Sequence, residues 1–239
     1  MNVARRARVL AEAWWAKHHV HLAAEPAGDR SGVVGPLASD RSPLSLVAVG
    51  DSMVAGCGVD DQKDGFIPAI AQEIAGALGR QVQWRTYGKL GATMRRVRYR
   101  LLPEVDESPD LLIVCAGSND IMAQRSIDEW TTDLAAVLDE AQPLTDNIVV
   151  FSSGQLYNSP SLGPALREFL EGQIDAQTRA SRKICAERGV FFLDMTHEDV
   201  RSDTDAFYAS DHFHPGAFGY RYMAGRSVEL LDDYLRRFR

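Results

Sequence analysis

Leu111-Leu112-Ile113-Val114-Cys115-Ala116 is an unbroken apolar run, and Gly117-Ser118-Asn119-Asp120 ends it with turn-forming and polar residues. A short run with no polar alternation reads as a strand buried on both faces, the kind found inside a parallel sheet. Four more strand-like runs flank it in sequence, Leu46 to Val49, Val82 to Tyr87, Ile148 to Ser152 and Val190 to Leu193. Helix-like stretches lie between and after them, at Phe66 to Leu78, Thr93 to Leu102, Ile127 to Ala141, Pro164 to Arg188 and Ala217 to Arg237. Strand and helix alternate five times. That alternation predicts an α/β fold with a five-stranded parallel sheet covered by helices on both faces.

The 239 residues are enough for one sizeable core. Residues 44–239 are expected to form that single domain, with residues 1–43 as an N-terminal extension. Residues 4–24 look helical, and Pro26, Gly28, Gly32, Gly35, Pro36 and Pro43 then break the chain into an irregular connector. Hydrophobic residues at 45% and charged residues at 25% are the balance of a folded domain.

A net charge of −7, with acidic residues scattered along the chain, argues against a nucleic-acid partner, whose phosphates call for clustered Lys and Arg. Arg95, Arg96, Arg98 and Arg100 are close together but spread around a helix, and read first as a solvated surface, with a site for an anionic substrate or surface as the alternative. The three cysteines, Cys57, Cys115 and Cys185, match no metal-ligand spacing and are expected to be reduced. His18, His19 and His21 read as a solvated helix face, since adjacent helical residues point about 100° apart. Glu12, Lys17 and the histidines interrupt the N-terminal segment, which therefore lacks the roughly 20 apolar residues of a membrane span and the apolar stretch of a signal peptide. A cytoplasmic location without stable membrane insertion is the expectation. The basic start with Trp14 and Trp15 leaves a membrane-surface contact open.

In a doubly wound sheet, ligands bind at the carboxyl ends of the strands. Ser52 follows the first predicted strand, Gly91 the second and Asn119 the third, while Asp211 and His214 precede the last helix. All fall at one edge. In Val49-Gly50-Asp51-Ser52-Met53 a glycine turn presents a serine, which becomes a nucleophile only when a base removes its proton. Alone, the tripeptide reads first as helix capping by Asp51 or Ser52. Asn119 has a side-chain amide suited to an oxyanion, or to bonding its own backbone. In Asp211-His212-Phe213-His214-Pro215-Gly216 the aspartate is near enough to orient His214, and the same loop also reads as a plain helix entry.

Together the blocks say more. Gly50-Asp51-Ser52, Gly117-Ser118-Asn119-Asp120 and Asp211-His212-Phe213-His214-Pro215, in that order on that strand pattern, resemble the SGNH or GDSL hydrolase family from about Leu46 to the last helix. The resemblance implies a flavodoxin-like three-layer α/β/α sandwich and a serine esterase acting on a small acyl ester, thioester or O-acetylated carbohydrate without a cofactor or metal. It implies Ser52 as nucleophile, His214 as general acid and base, and Asp211 as orienting carboxylate. The implied oxyanion hole is Ser52, Gly91 and Asn119. The block Thr86-Tyr87-Gly88-Lys89-Leu90-Gly91-Ala92-Thr93 lacks the family's early asparagine, and Gly88 is the alternative donor. No Gly-x-Ser-x-Gly elbow surrounds Ser52, which separates the chain from α/β-hydrolases.

Two other readings use the same residues. A metal-dependent phosphoesterase would take the Asp, Asn and His side chains as ligands, but has Asp120 where a histidine is usual. A noncatalytic binding module would carry all four side chains unused. Tyr157, Phe207, Tyr208 and Phe213 stand near the site loops, either as pocket walls or as core.

Overall fold

The computed structural model describes residues 2–36 and 41–239. Met1 and residues 37–40, which belong to the expected extension and connector, lie outside the described residues. The elements in chain order are α1 (Val3–His19), β1 (Ser31–Val34), β2 (Leu44–Gly50), α2 (Ser52–Ala55), α3 (Phe66–Leu78), β3 (Val82–Gly88), α4 (Met94–Arg96), β4 (Leu111–Cys115), α5 (Ser118–Met122), α6 (Ile127–Ala141), β5 (Ile148–Phe151), α7 (Pro164–Glu187), β6 (Phe191–Leu193) and α8 (Ala217–Leu235).

The strands are ordered β1-β3-β2-β4-β5-β6. From β3 to β6 every pair is parallel, and these five strands are the ones read from the sequence, in the flavodoxin-like order. The sheet nevertheless has six strands rather than five. The extra strand, β1, pairs antiparallel with β3, Ser31 opposite Arg85 and Val34 opposite Val82. It comes from the stretch expected to be irregular connector. Gly32, which reads as a turn residue in sequence, is there because the Trp84 indole occupies the space a Cβ would need.

Alternate residues of the central strands feed two cores. Leu46, Ala48, Ile113 and Val149 pack with Ile67, Ile70 and Ile74 of α3 and with Tyr220 and Leu231 of α8. Val47, Val49, Leu112, Val114 and Val150 face the other way, onto Trp130, Leu134 and Val137 of α6. Each fully buried aliphatic side chain contributes about 1.5–3 kcal/mol. Local chemistry fixes the helix ends: Ser126 and Glu129 form a reciprocal capping box at the start of α6, and Gly79 closes α3 in a left-handed conformation.

The helix expected over Thr93 to Leu102 is a correction. Only Met94–Arg96 is α-helical, followed by a wider π-type turn over Val97–Leu101 and a tight turn over Leu102–Glu104. Pro103 lacks an N–H and cannot carry the α-helical ladder onward, while Leu102 before it keeps helical angles (φ −59°, ψ −41°) and packs with Val97 and Leu101 in the core. At the other end of the chain, Val9 and Ala16 of α1 form a third apolar cluster with Leu166, Leu170 and Ile174 of α7. Residues 3–34 are thus fastened at both a helix and a strand.

Candidate active site

Gly50 ends β2 where a side chain is excluded, because a Cβ there would collide with the Cys115 carbonyl of β4. The Asp51 N–H donates to that carbonyl (3.0 Å), and the chain leaves the sheet between β2 and β4. Asp51 then caps α2, its Oδ1 accepting the Met53 N–H at 3.0 Å. The capping reading therefore holds for Asp51, and it leaves Ser52 as the first helical residue, whose N–H has no acceptor within the helix. Burial pushes the Asp51 carboxyl up to about 7. The Met53 N–H and His214 oppose that rise, and Asp120 adds to it.

β4 ends at Cys115, and Gly117 two residues on has a φ of +148°, open to glycine and strained for other residues. α5 begins directly after it. Asn119 uses one amide proton on the Ala92 carbonyl (3.0 Å), and Asp120 Oδ2 accepts the Met94 N–H (2.8 Å). Both bonds reach across to the chain after β3, so Asn119 is held by tertiary partners and not by its own backbone. Burial lifts the Asp120 carboxyl to about 6 against the pull of the Met94 N–H and Arg125.

The third loop is closed by the Ala209 N–H on the His214 carbonyl (2.8 Å) and the Gly216 N–H on the Phe207 carbonyl (2.9 Å). Inside it Asp211 Oδ1 accepts the N–H groups of Phe213 and His214, each at 2.9 Å. Its Oδ2 accepts His214 Nδ1 at 2.7 Å and the Ala23 N–H at 2.8 Å. The side chains of His214 and Asp211 are 4% and 3% exposed. Burial by itself would raise the Asp211 carboxyl, but His214 and the three backbone donors outweigh it and hold the group well below the usual range. An ionised carboxylate only accepts, so Nδ1 carries a proton, and in the neutral imidazole the lone pair is then on Nε2. That Nε2 is buried and has no hydrogen-bond partner among the described residues.

Asp51, Ser52, Ser118, Asn119 and His214 share one cleft. Its walls are apolar and include four methionines, Met53, Met122, Met195 and Met223. Phe207, Tyr208 and Phe213 line it, whereas Tyr157 is turned to the Thr196 carbonyl and His197. Gly91 sits on an exposed turn with φ +76° and is not part of the lining; its neighbour Leu90 is. Gly88 is pressed on the backbone of Val54 and Ala55. The methionine walls and Leu22, which also lines the cleft, were not singled out from the sequence.

His212 is exposed in a left-handed conformation (φ +53°), and Asp211 and His214 are bonded to each other. Among the described residues no group of three or more His, Cys, Asp and Glu side chains is disposed to hold a metal. The three cysteines are free and buried.

Residues 48–222 match the model of the GDSL-like Lipase/Acylhydrolase family. The chain belongs to that family. It is a hydrolase of the SGNH type, and an ester hydrolase by class. Solved structures share its fold. One is LAE5, an alpha/beta hydrolase enzyme from the metagenome of Lake Arreo, Spain (TM-score 0.61, 16% identity, covering 80% of this chain and 96% of that one). A member of the lipolytic protein G-D-S-L family from Veillonella parvula superposes with a TM-score of 0.61 at 18% identity, over 78% of this chain and 97% of that one. Axe2, an acetylxylan esterase from Geobacillus stearothermophilus, gives 0.58 at 20% identity, over 80% and 94%. No curated protein matches the sequence. Among the described residues no helix of the enzyme is long and apolar enough to cross a membrane.

Proposed function

We propose that the enzyme is a serine esterase in which Ser52 is the nucleophile, His214 the general base and then acid, and Asp211 the carboxylate that orients it. The observation that carries this reading is His214 Nε2. An unpaired buried polar atom costs about 1–3 kcal/mol, and a fold keeps such an atom where a ligand or reaction completes it. Here it lies in the same cleft as Ser52, with a low-pKa carboxylate fixing the opposite ring nitrogen.

Ser52 Oγ attacks the acyl carbon as its proton passes to His214 Nε2. The oxyanion is received by the Ser52 N–H and by the second Asn119 amide proton. The ester C–O bond then breaks and the alcohol leaves with the proton from His214. Water attacks the acyl-serine, giving a proton to His214; the acyl bond to Oγ breaks, Oγ recovers that proton, and the carboxylic acid is released. No free contact between Ser52 and His214 is needed beforehand, since catalytic hydrogen bonds often tighten only when substrate enters.

The apolar, methionine-rich walls favour an acyl chain over a polar O-acetylated carbohydrate, because flexible thioethers adapt to varied apolar shapes. The test is hydrolysis of p-nitrophenyl acetate and longer p-nitrophenyl esters by wild type and Ser52→Ala, with and without EDTA and a serine-directed phosphonate. Activity should survive EDTA, disappear with the phosphonate, and fall to background in Ser52→Ala without loss of fold. Loss to EDTA alone would favour the metal-dependent phosphoesterase instead.

A further inference from the structure

Residues 20–25 leave the end of α1 without regular structure and run past the cleft to the connector. The segment is fastened at both ends. Upstream, α1 is packed on α7. Downstream, Glu25 accepts the Leu90 N–H at 2.9 Å and pairs with Lys89 at 3.0 Å, and Ala27 exchanges backbone hydrogen bonds with Asp60 and Gln62. Between these anchors two residues reach the site. The Ala23 N–H donates to Asp211 Oδ2, the same oxygen that holds His214 Nδ1, and Leu22 forms part of the cleft wall while staying 44% exposed.

Resting on the serine-esterase reading, we infer that residues 20–25 are a strap that completes the site, with the Ala23 N–H a positioning donor for Asp211 and Leu22 a determinant of acyl-chain length. The donor matters because a carboxylate oxygen shared between His214 and a fixed N–H cannot swing away from the ring. The other two N–H donors, from Phe213 and His214, hold only Oδ1. Among the described residues, Ala23 therefore supplies the one backbone restraint on the oxygen that orients the base. Leu22 acts separately, by closing one side of an apolar space that a longer acyl chain would fill. Substrate would touch Leu22 but not Ala23.

The two roles give different kinetic signatures. Ala23→Pro deletes the N–H, since proline has none; its kcat for p-nitrophenyl acetate should fall about tenfold, the worth of one ordinary hydrogen bond, with KM unchanged. Ala23→Gly keeps the N–H and should match wild type. Because proline can also disturb folding, the same deletion is made by replacing the Leu22–Ala23 amide with an ester, which leaves every side chain in place. Leu22→Ala should raise KM for the octanoate more than for the acetate, lowering the octanoate-to-acetate ratio of kcat/KM. A merely structural strap would lower the melting temperature and scale all substrates alike. Wild-type kcat in the backbone ester, or unchanged chain-length preference in Leu22→Ala, overturns the corresponding role. Wild type and Ser52→Ala run beside these variants: if the wild type shows no Ser52-dependent turnover, the esterase reading falls and the strap falls with it. Turnover that is Ser52-dependent but indifferent to all strap variants removes the strap alone.

Discussion

Asp51 shows at the scale of one residue how the fold supports the site at a cost. It caps α2 and so presents Ser52, yet it is 4% exposed and its carboxyl is pushed up to about 7. An unfolded aspartate ionises near 3.9. Between about pH 4 and 7 the folded chain keeps a proton that the unfolded chain has lost, so this residue's contribution is full below pH 4 and is lost as pH rises to 7. Asparagine caps a helix about as well and does not ionise. Asp51→Asn should therefore match wild type in unfolding free energy near pH 4 and exceed it by on the order of a few kcal/mol at pH 8. Urea titrations of both proteins at pH 4, 5.5 and 8 check this, and a constant difference across the three would show that ionisation of Asp51 is not responsible. At this scale the candidate residues Ser52, Asp211 and His214 were readable, because they have distinctive side chains in recognisable blocks. Ala23 was not. Its part is played by a backbone N–H, and every residue but proline has one, so no residue type marks it.

Among the elements, α5 has the most exacting entry. Gly117 precedes it at φ +148°, where a Cβ would strike the Ser153 hydroxyl and press on Gln177. Gln177 in turn donates to the Gly117 carbonyl at 3.2 Å. Gly117→Ala should cost about 2–4 kcal/mol through backbone strain and overpacking, and should also lower kcat by displacing Asn119 two residues on. Thermal unfolding together with ester kinetics measures both, and an alanine variant of wild-type stability would refute the strain. The strands around this entry were legible because β2, β4 and β5 are buried on both faces and leave continuous apolar runs. β1 was hidden for the opposite reason. It is a four-residue edge strand with no buried residue, and its glycine is dictated by the Trp84 ring of the neighbouring strand, which no local pattern reveals. The stretch after α4 misled in another way, since its apolar spacing suits a helix while Pro103 and tertiary packing draw it into irregular turns.

For the whole molecule, the N-terminal residues matter because they join parts of the fold that are distant in sequence. α1 rests on α7, the following segment touches Asp211 and Leu90, and β1 completes the sheet against β3. The joint between α1 and α7 has a specific polar fastening: Glu12 Oε2 accepts the Leu166 N–H at 2.8 Å in the first turn of α7, a donor with no partner inside that helix. A carboxylate at a helix N-terminus is also favoured by the helix dipole. Removing it by Glu12→Ala should lower stability by about 1–2 kcal/mol. The more telling effect is where protection is lost. If α1 is the upstream anchor of residues 20–25, its loosening should speed amide exchange over residues 9–23 first, including the Ala23 N–H, while the central strands β2 and β4 stay protected. Hydrogen exchange read by mass spectrometry or NMR on wild type and Glu12→Ala makes the comparison. Faster exchange confined to α1, with Ala23 still protected, would mean that the segment is held by Glu25 and the sheet alone. Faster exchange reaching Ala23, with a parallel fall in kcat, would mean that α1 and the site open as one unit.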